Sequence, residues 1–313
     1  MNLYAILAPI EWVVAWVMYL FHSMVSALGL DPAGGMAWAL SIIGLVIVIR
    51  ICLIPLFFKQ IHAQRGMQMI QPEMQAIQKK YKGRKDQASK EAMSREMMAL
   101  YKQHGTNPFS SCMPILLQSP IFFALFRVLN ALQPIADGKR GAIGPINQEV
   151  ASKATDAPLF GAHLSDVFLR TDNNSGKIFA LVLILAMCAT TFFTQRQLTM
   201  KNMPKAALEG PMARQQKLML YIMPVIFAVS GVNFPIGVLL YWTTTNLWSM
   251  GQQYYTIKRM PAVGSLAEKQ LKERQERKRA AKGLPPESPE STVIVVEPRG
   301  QRVQPKRQPR KKR

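Results

Sequence analysis

Five stretches of this chain are apolar enough and long enough to cross a lipid bilayer, for which about 20 residues are needed. They run over roughly 37–58, 109–132, 177–197, 217–233 and 236–257. Hydrocarbon offers no water to satisfy backbone groups, so each stretch is expected to be helical. The expected fold class is therefore an all-α integral membrane protein with five transmembrane helices. The fourth run, KLMLYIMPVIFAVSGVN, is short, and Asn233-Phe234-Pro235 leaves only a tight turn before the fifth, so the pair should form an antiparallel hairpin. Pro55, Pro114, Pro120 and Pro224 fall within spans, where neighbouring helices can satisfy the freed carbonyls.

Charge orients these spans. The 313 residues combine 49% hydrophobic content with a formal net charge of +21, a pairing natural to a membrane protein with basic cytoplasmic parts. Residues 59–108 hold ten Lys/Arg against four Asp/Glu, residues 198–216 three against one, and residues 258–313 seventeen against six. The connection 133–176 holds four against five, and the first 49 residues have no Lys or Arg. The positive-inside rule then sets the N-terminus outside, 59–108 and 198–216 in the cytoplasm, 133–176 outside, and the tail in the cytoplasm.

Nothing in the chain reads as catalytic. Cys52, Cys112 and Cys188 lie far apart in apolar runs, and His22, His62, His104 and His163 are as scattered, so no disulfide framework, metal site or cofactor is expected. No phosphate-binding loop, nucleophile elbow or carboxylate pair is present.

Before the first span lies IEWVVAWVMYLFHSMVSALG, without the basic start of a signal peptide. Ile10, Val13, Val14, Val17, Phe21, Met24, Val25 and Leu28 recur at helical spacing, while Glu11, His22, Ser23 and Ser26 lie off that stripe. The pattern favours a helix over 8–29 in the outer interface. A sixth span is the alternative, and it would put the N-terminus inside with no basic residue to hold it.

Residues 65–104 read as a helical hairpin standing off the membrane. Met67, Ile70, Met74, Ile77 and Tyr81 follow coiled-coil spacing, Met93, Met97, Leu100 and His104 repeat it on the return arm, and Gly83-Arg84-Lys85-Asp86 breaks the pattern between them. Most of these methionines are expected to pack the two arms together. Met69 and Met98, off the seam, are candidates to meet apolar partner segments, a use that suits a soft thioether. From Lys258 the apolar content falls away: LAEKQLKERQERKRAAKG can form a short charged helix, and the Pro-rich remainder ending KRQPRKKR is expected to be disordered. Such a cluster suits anionic lipid headgroups or ribosomal RNA, and the sequence leaves the two open.

One residue resists this scheme. The first span, LVIVIRICLIPLFF, carries Arg50 with eight apolar residues between it and Lys59. A continuous helix would bury it roughly 12 Å below the boundary at about 1.5 Å per residue, more than snorkelling covers. None of the five spans contains Asp or Glu, so no anionic partner is available within them. Water and neutral polar groups must solvate it, with Gln118, Ser119, Thr190, Thr191, Thr194, Gln195, Asn246, Gln252 and the run Thr243-Thr244-Thr245 as candidates.

From about Ala8 to Arg259 the chain resembles the YidC/Oxa/Alb family of membrane protein insertases. The resemblance rests on IRICLIPL, MQMIQPEMQAIQKKY, EMMALYK, NPFSSCMPILLQSPIFFALF, TFFTQRQ and MPVIFAVSGVNFPIGVLLYWTTTNLW. It implies a bacterial plasma-membrane protein, not an enzyme, whose helices surround a hydrophilic groove open to the cytoplasm. The family's groove arginine falls on Arg50, its groove glutamine on Gln195, its aromatic on Trp242 with Tyr241 beside it, and a further polar position on Gln118. Thr194 and Asn246 complete the expected groove set, with Met69 and Met98 as client contacts. Implied partners are nascent membrane proteins, the ribosome, the Sec translocon and anionic lipids. Some relatives carry threonine one turn before the arginine, where this chain has Val46. Two other classes stay open: a membrane-anchored ribosome-binding scaffold, which leaves Arg50 unexplained, and an anion transporter, which predicts internal repeats that are not seen.

Overall fold

A computed structural model describes residues 3–84, 86–107, 109, 113–202, 211–262 and 264–285. Cys112, the middle of the 198–216 connection and the basic cluster KRQPRKKR lie outside them. Among the described residues the chain is almost wholly helical: α1 (Leu3–Ala27), α2 (Gly35–Cys52), α3 (Ile54–Met69), α4 (Gln71–Lys80), α5 (Gln87–Gln103), α6 (Met113–Ala136), α7 (Gln148–Asp156), α8 (Asn174–Arg196), α9 (Pro211–Gly231), α10 (Ile236–Arg259) and α11 (Leu266–Ala280). A single antiparallel pair of two-residue strands, β1 (Pro158–Leu159) and β2 (Ala162–His163), interrupts them.

Among the described residues four helical stretches are long and apolar enough to cross a membrane: Leu7–Ala27, Gly35–Cys52, Leu116–Ala136 and Asn174–Arg196, with Lys217–Gly231 a shorter apolar helix. The protein is thus membrane-embedded. α10 is long, but Thr243-Thr244-Thr245, Asn246, Gln252 and Gln253 dilute its hydropathy.

Proline chemistry divides the first expected span. Rather than one helix over 37–58, α2 ends at Cys52 and α3 starts at Ile54, around a turn at Leu53 whose N–H reaches the Ile49 carbonyl. Pro55 has no N–H to offer Ile51, and a proline is comfortable only in the first turn of the next helix. The same logic separates α3 from α4 at Ile70, ahead of Pro72. The depth expected for Arg50 assumed one continuous helix and does not carry over to this broken one.

Methionines knit the hairpin. Ile70, Met74 and Leu100 are buried, with Met67, Ile77, Met97 and Tyr101 packed against them. Met93 is not in this cluster, and Tyr101 takes the place expected for His104. His104 instead lies 3.3 Å from Glu73, while Tyr81 donates to Glu96 at 2.8 Å. Asp86 caps α5 by accepting the Ser89 N–H.

The main core joins α1, α2, α6, α8 and α10 around Trp38, Met18, Ile42, Leu125 and Leu239. Within it the faces of α1 differ from the expected stripe. Val14 and Val25 are buried, but Val13, Met24 and Leu28 are exposed, and Glu11 and His22 turn into the protein. Their partners explain the rotation: His22 Nε2 donates to the Pro32 carbonyl at 3.0 Å and its ring stacks on Trp38, and Glu11 meets two arginines described below. The loop after β2 is fastened to the start of α10, whose Ile236 and Gly237 N–H groups donate to the carbonyls of Asp166 and Leu164. These are helix-end donors that the helix itself cannot satisfy.

Candidate functional site

Arg50 stands in the last turn of α2, half-buried, where the helix breaks before Pro55. It borders a cavity of about 480 Å³ walled by α6 (Gln118, Ser119, Phe122, Phe123), α9 (Phe227) and α10 (Tyr241, Trp242, Thr245, Ser249, Gln252). α3 adds Phe57, Gln60 and Ile61, and Leu198, Asn202, Met260 and Ala262 close one end. That end is pinned by a hydrogen bond, since the Asn202 side-chain oxygen accepts from the Ala262 N–H at 2.8 Å.

The walls combine rings with neutral polar groups. Trp242 lies 5.2 Å from Phe122 and 4.8 Å from Phe227, centroid to centroid, in edge-to-face arrangements. Gln118 donates from Nε2 to the Tyr241 hydroxyl. Arg50 makes no ion pair with a carboxylate among the described residues. Volume and lining fall in the range of binding sites, about 300–1,000 Å³ with apolar walls and a few convergent polar groups. What such a place offers is one permanent positive charge, amides and hydroxyls to exchange hydrogen bonds, and rings against which apolar groups can rest.

Of the residues expected in the site, Arg50, Gln118, Tyr241 and Trp242 come together here. Thr194, Gln195 and Asn246 do not line it. Asn246 is turned into the α8–α10 seam, donating to the Thr191 hydroxyl at 3.0 Å and towards the Met187 carbonyl at 3.5 Å. Thr194 bonds its own helix at the Thr190 carbonyl. Gln60, Ser249, Gln253 and Thr256 were not expected, although Ser249 and Thr256 belong to a polar stripe at helical spacing along α10, Thr245-Ser249-Gln252-Thr256, which was a usable signal. Met69 and Met98 are 65% and 47% exposed, so both are available to a partner.

A second cation, Arg127 of α6, was overlooked. Its Nε lies 2.8 Å from Glu11 Oε1 of α1, and Arg140 Nη2 lies 3.7 Å from the other carboxylate oxygen. Arg127 and Arg50 are therefore differently placed: Arg127 is held against a carboxylate and Arg50 faces the cavity.

The family model of the 60Kd inner membrane protein matches residues 30–263. The membrane protein insertase YidC of Streptomyces avermitilis is 47% identical over 271 residues, covering 83% of this chain and 60% of the relative, so the chain spans somewhat under two thirds of that protein's length. Those of Bifidobacterium longum and of Tropheryma whipplei strain Twist are each 40% identical, covering 90% and 84% of this chain and 85% and 86% of the relatives. A solved structure of an active YidC insertase with its first transmembrane domain resolved is 24% identical, covers 78% of this chain and 46% of its own, and superposes with a TM-score of 0.45. By the extent of the family match and the identity to these relatives, the chain belongs to the 60Kd inner membrane protein family, that of the YidC membrane protein insertases.

Proposed function

We propose that this chain assists nascent membrane proteins into the bacterial plasma membrane by receiving their polar segment in the cavity beside Arg50. The observation that carries the reading is a permanent charge on a cavity wall with only neutral groups and rings around it. A charge taken out of water into an apolar-walled site is costly unless water or polar groups compensate it. Solvation by water and by Gln118, Gln60 and Gln252 relieves that cost and leaves the charge free to attract an acidic client segment. The client's own apolar segment then leaves sideways into lipid, driven by burial of its surface. The work is displacement of a chain, with no bond made or broken.

In this reading five spans, formed by α2, α6, α8, α9 and α10, surround a groove open to the cytoplasm, with the N-terminus outside and the C-terminus inside. The count of Lys and Arg in the connections supports that orientation. α1 lies in the outer interface: Glu11 reaches Arg140, Trp12 and Trp16 approach Gly144, and His22 meets the start of α2, so both halves of the helix meet the same end of the bundle. The hairpin of residues 65–104, with Met69 at the end of α3 and Met98 on α5 exposed, is a cytoplasmic surface for clients. The Sec translocon, the ribosome and anionic lipids are the partners in this reading, the last two met by the basic C-terminal region.

The deciding experiment follows insertion of clients with acidic translocated tails. Arg50→Ala is expected to impair it and Arg50→Lys to retain most of it. Normal insertion of every such client by both variants would refute the electrostatic role.

A further inference from the structure

Among the described residues Phe160 is the one non-glycine side chain with a positive φ, +54°, in the left-handed region that a bulky residue avoids. It stands at the turn between β1 and β2, beside Gly161 (φ +77°), and it is 70% exposed. Most of the Phe160 side chain is left uncovered by the chain, so a single ring contact is all that packing within the protein offers this disfavoured backbone state.

Its mounting is rigid. Asn173 Nδ2 donates to the Gly161 carbonyl at 2.6 Å, while the same residue's Oδ1 caps α8 by accepting the Ser175 N–H at 3.0 Å. One asparagine thus ties the hairpin turn to the first turn of α8. The Phe160 ring rests against Phe179 of that helix, with centroids 5.6 Å apart. Phe179 neighbours Ile178, the top of an exposed apolar strip of Ile178, Leu181, Val182 and Leu185 that descends one face of α8 at helical spacing. Lys177 lies in the first turn of α8, next to Ile178, and Leu169 is a further exposed apolar residue in the loop before that helix.

We infer that Phe160 is a lipid anchor: the β1–β2 turn seats this ring at the boundary between headgroups and acyl chains of the leaflet at the N-terminal end of α8. An exposed apolar strip on a helix of bilayer-spanning length is covered by acyl chains, and Phe160, resting on Phe179, continues that strip at the N-terminal end of α8. Aromatic rings at a span's end hold a segment near the membrane interface, Trp and Tyr at headgroup level, and the wholly apolar ring of phenylalanine belongs on the acyl-chain side of that boundary. The strained turn is the means of holding the ring on the lipid side of α8. The inference requires only that α8 crosses the membrane, and it stands whichever way the chain is oriented and whatever Arg50 does.

The test places the photoreactive analogue p-benzoylphenylalanine at position 160 in the full chain, reconstituted in phosphatidylglycerol–phosphatidylcholine vesicles. The exposed Glu149 of α7 serves as the comparison position. Lipid adducts at 160 are expected to exceed those at 149 by about tenfold, the ratio implied by burying a phenylalanine side chain. A second variant, Phe160→Trp, guards against misfolding of the first. Its added emission is expected to be quenched most by lipids brominated near the glycerol backbone. Equal lipid adducts at the two positions, a protein adduct from a second copy or another chain in place of lipid, or quenching no greater than in the parent protein would each overturn the inference.

Discussion

Gln118 on α6 donates from Nε2 to the hydroxyl of Tyr241 on α10 at 2.5 Å, joining two helices on the wall of the cavity that Arg50 faces. An interhelical hydrogen bond in a membrane contributes about 0.6 kcal/mol on average and up to about 1.7. Tyr241→Phe and Gln118→Ala are each expected to lower the thermal midpoint of the detergent-solubilised protein slightly, and the double variant to lower it no more than the larger single effect. Strictly additive losses would show that the two residues stabilise the bundle independently.

The carboxylate of Glu11 is 5% exposed between Arg127 and Arg140, with the Arg127 side chain 24% exposed. Removing one member of a buried pair leaves its partner uncompensated, typically at 3–5 kcal/mol; the partial exposure of Arg127 places Glu11→Ala at the low end, about 3 kcal/mol. The double variant Glu11→Leu with Arg127→Leu is expected to regain most of that loss. Denaturant or thermal unfolding of the four proteins measures the coupling, and a coupling near zero would remove the ion pair as the lock between α1 and α6.

Gly44 faces Phe21 so closely that a Cβ there would stand 2.3 Å from the ring. Overpacking of this kind costs about 1–3 kcal/mol. Gly44→Ala is expected to loosen the contact of α1 with α2, read as faster amide exchange in α1, and Phe21→Ala in the same chain to restore it. Unchanged exchange in Gly44→Ala would mean that α1 is not held by this contact.

At the hairpin, Lys80 Nζ lies 2.5 Å from Glu96 Oε1 and the Tyr81 hydroxyl donates to the same oxygen. Hydrogen bonds from Lys80 and Tyr81 hold the Glu96 carboxyl below its ordinary range. A depressed carboxyl contributes stability above its unfolded pKa, and that contribution is lost as pH falls through the folded value. Protection of the α4 and α5 amides, taken relative to the intrinsic exchange rate at each pH, is therefore expected to fall from neutral pH to below the carboxylate range, more in the parent than in Glu96→Gln. A Glu96→Gln protein with the same acid response would show that other groups carry it.

Two kinds of residue mark what could be read in advance. The hairpin seam was legible in Met67, Ile70, Met74, Ile77, Met97 and Leu100, because a helix pair in water must hide its apolar stripe and the stripe therefore reports the contact. In α1 the same reasoning misplaced Glu11 and His22. Where the surroundings are lipid, the outside of a helix is as apolar as its packed face, so periodicity carries little information about which side is buried. The buried sides of Glu11 and His22 follow from Arg127, Arg140 and Pro32, contacts that a local pattern does not contain.

By itself the sequence determined the apolar segment lengths, the uneven distribution of Lys and Arg and the lack of any carboxylate in the spans that could neutralise Arg50. Each is a property of composition or of near neighbours in the chain. Only the tertiary structure decided that Gln118, Tyr241 and Trp242 share a cavity with Arg50 while Asn246 bonds across the α8–α10 seam and Thr194 bonds its own helix. That choice depends on how each helix is rotated about its axis, and the rotation is set by the packing of side chains from distant parts of the chain.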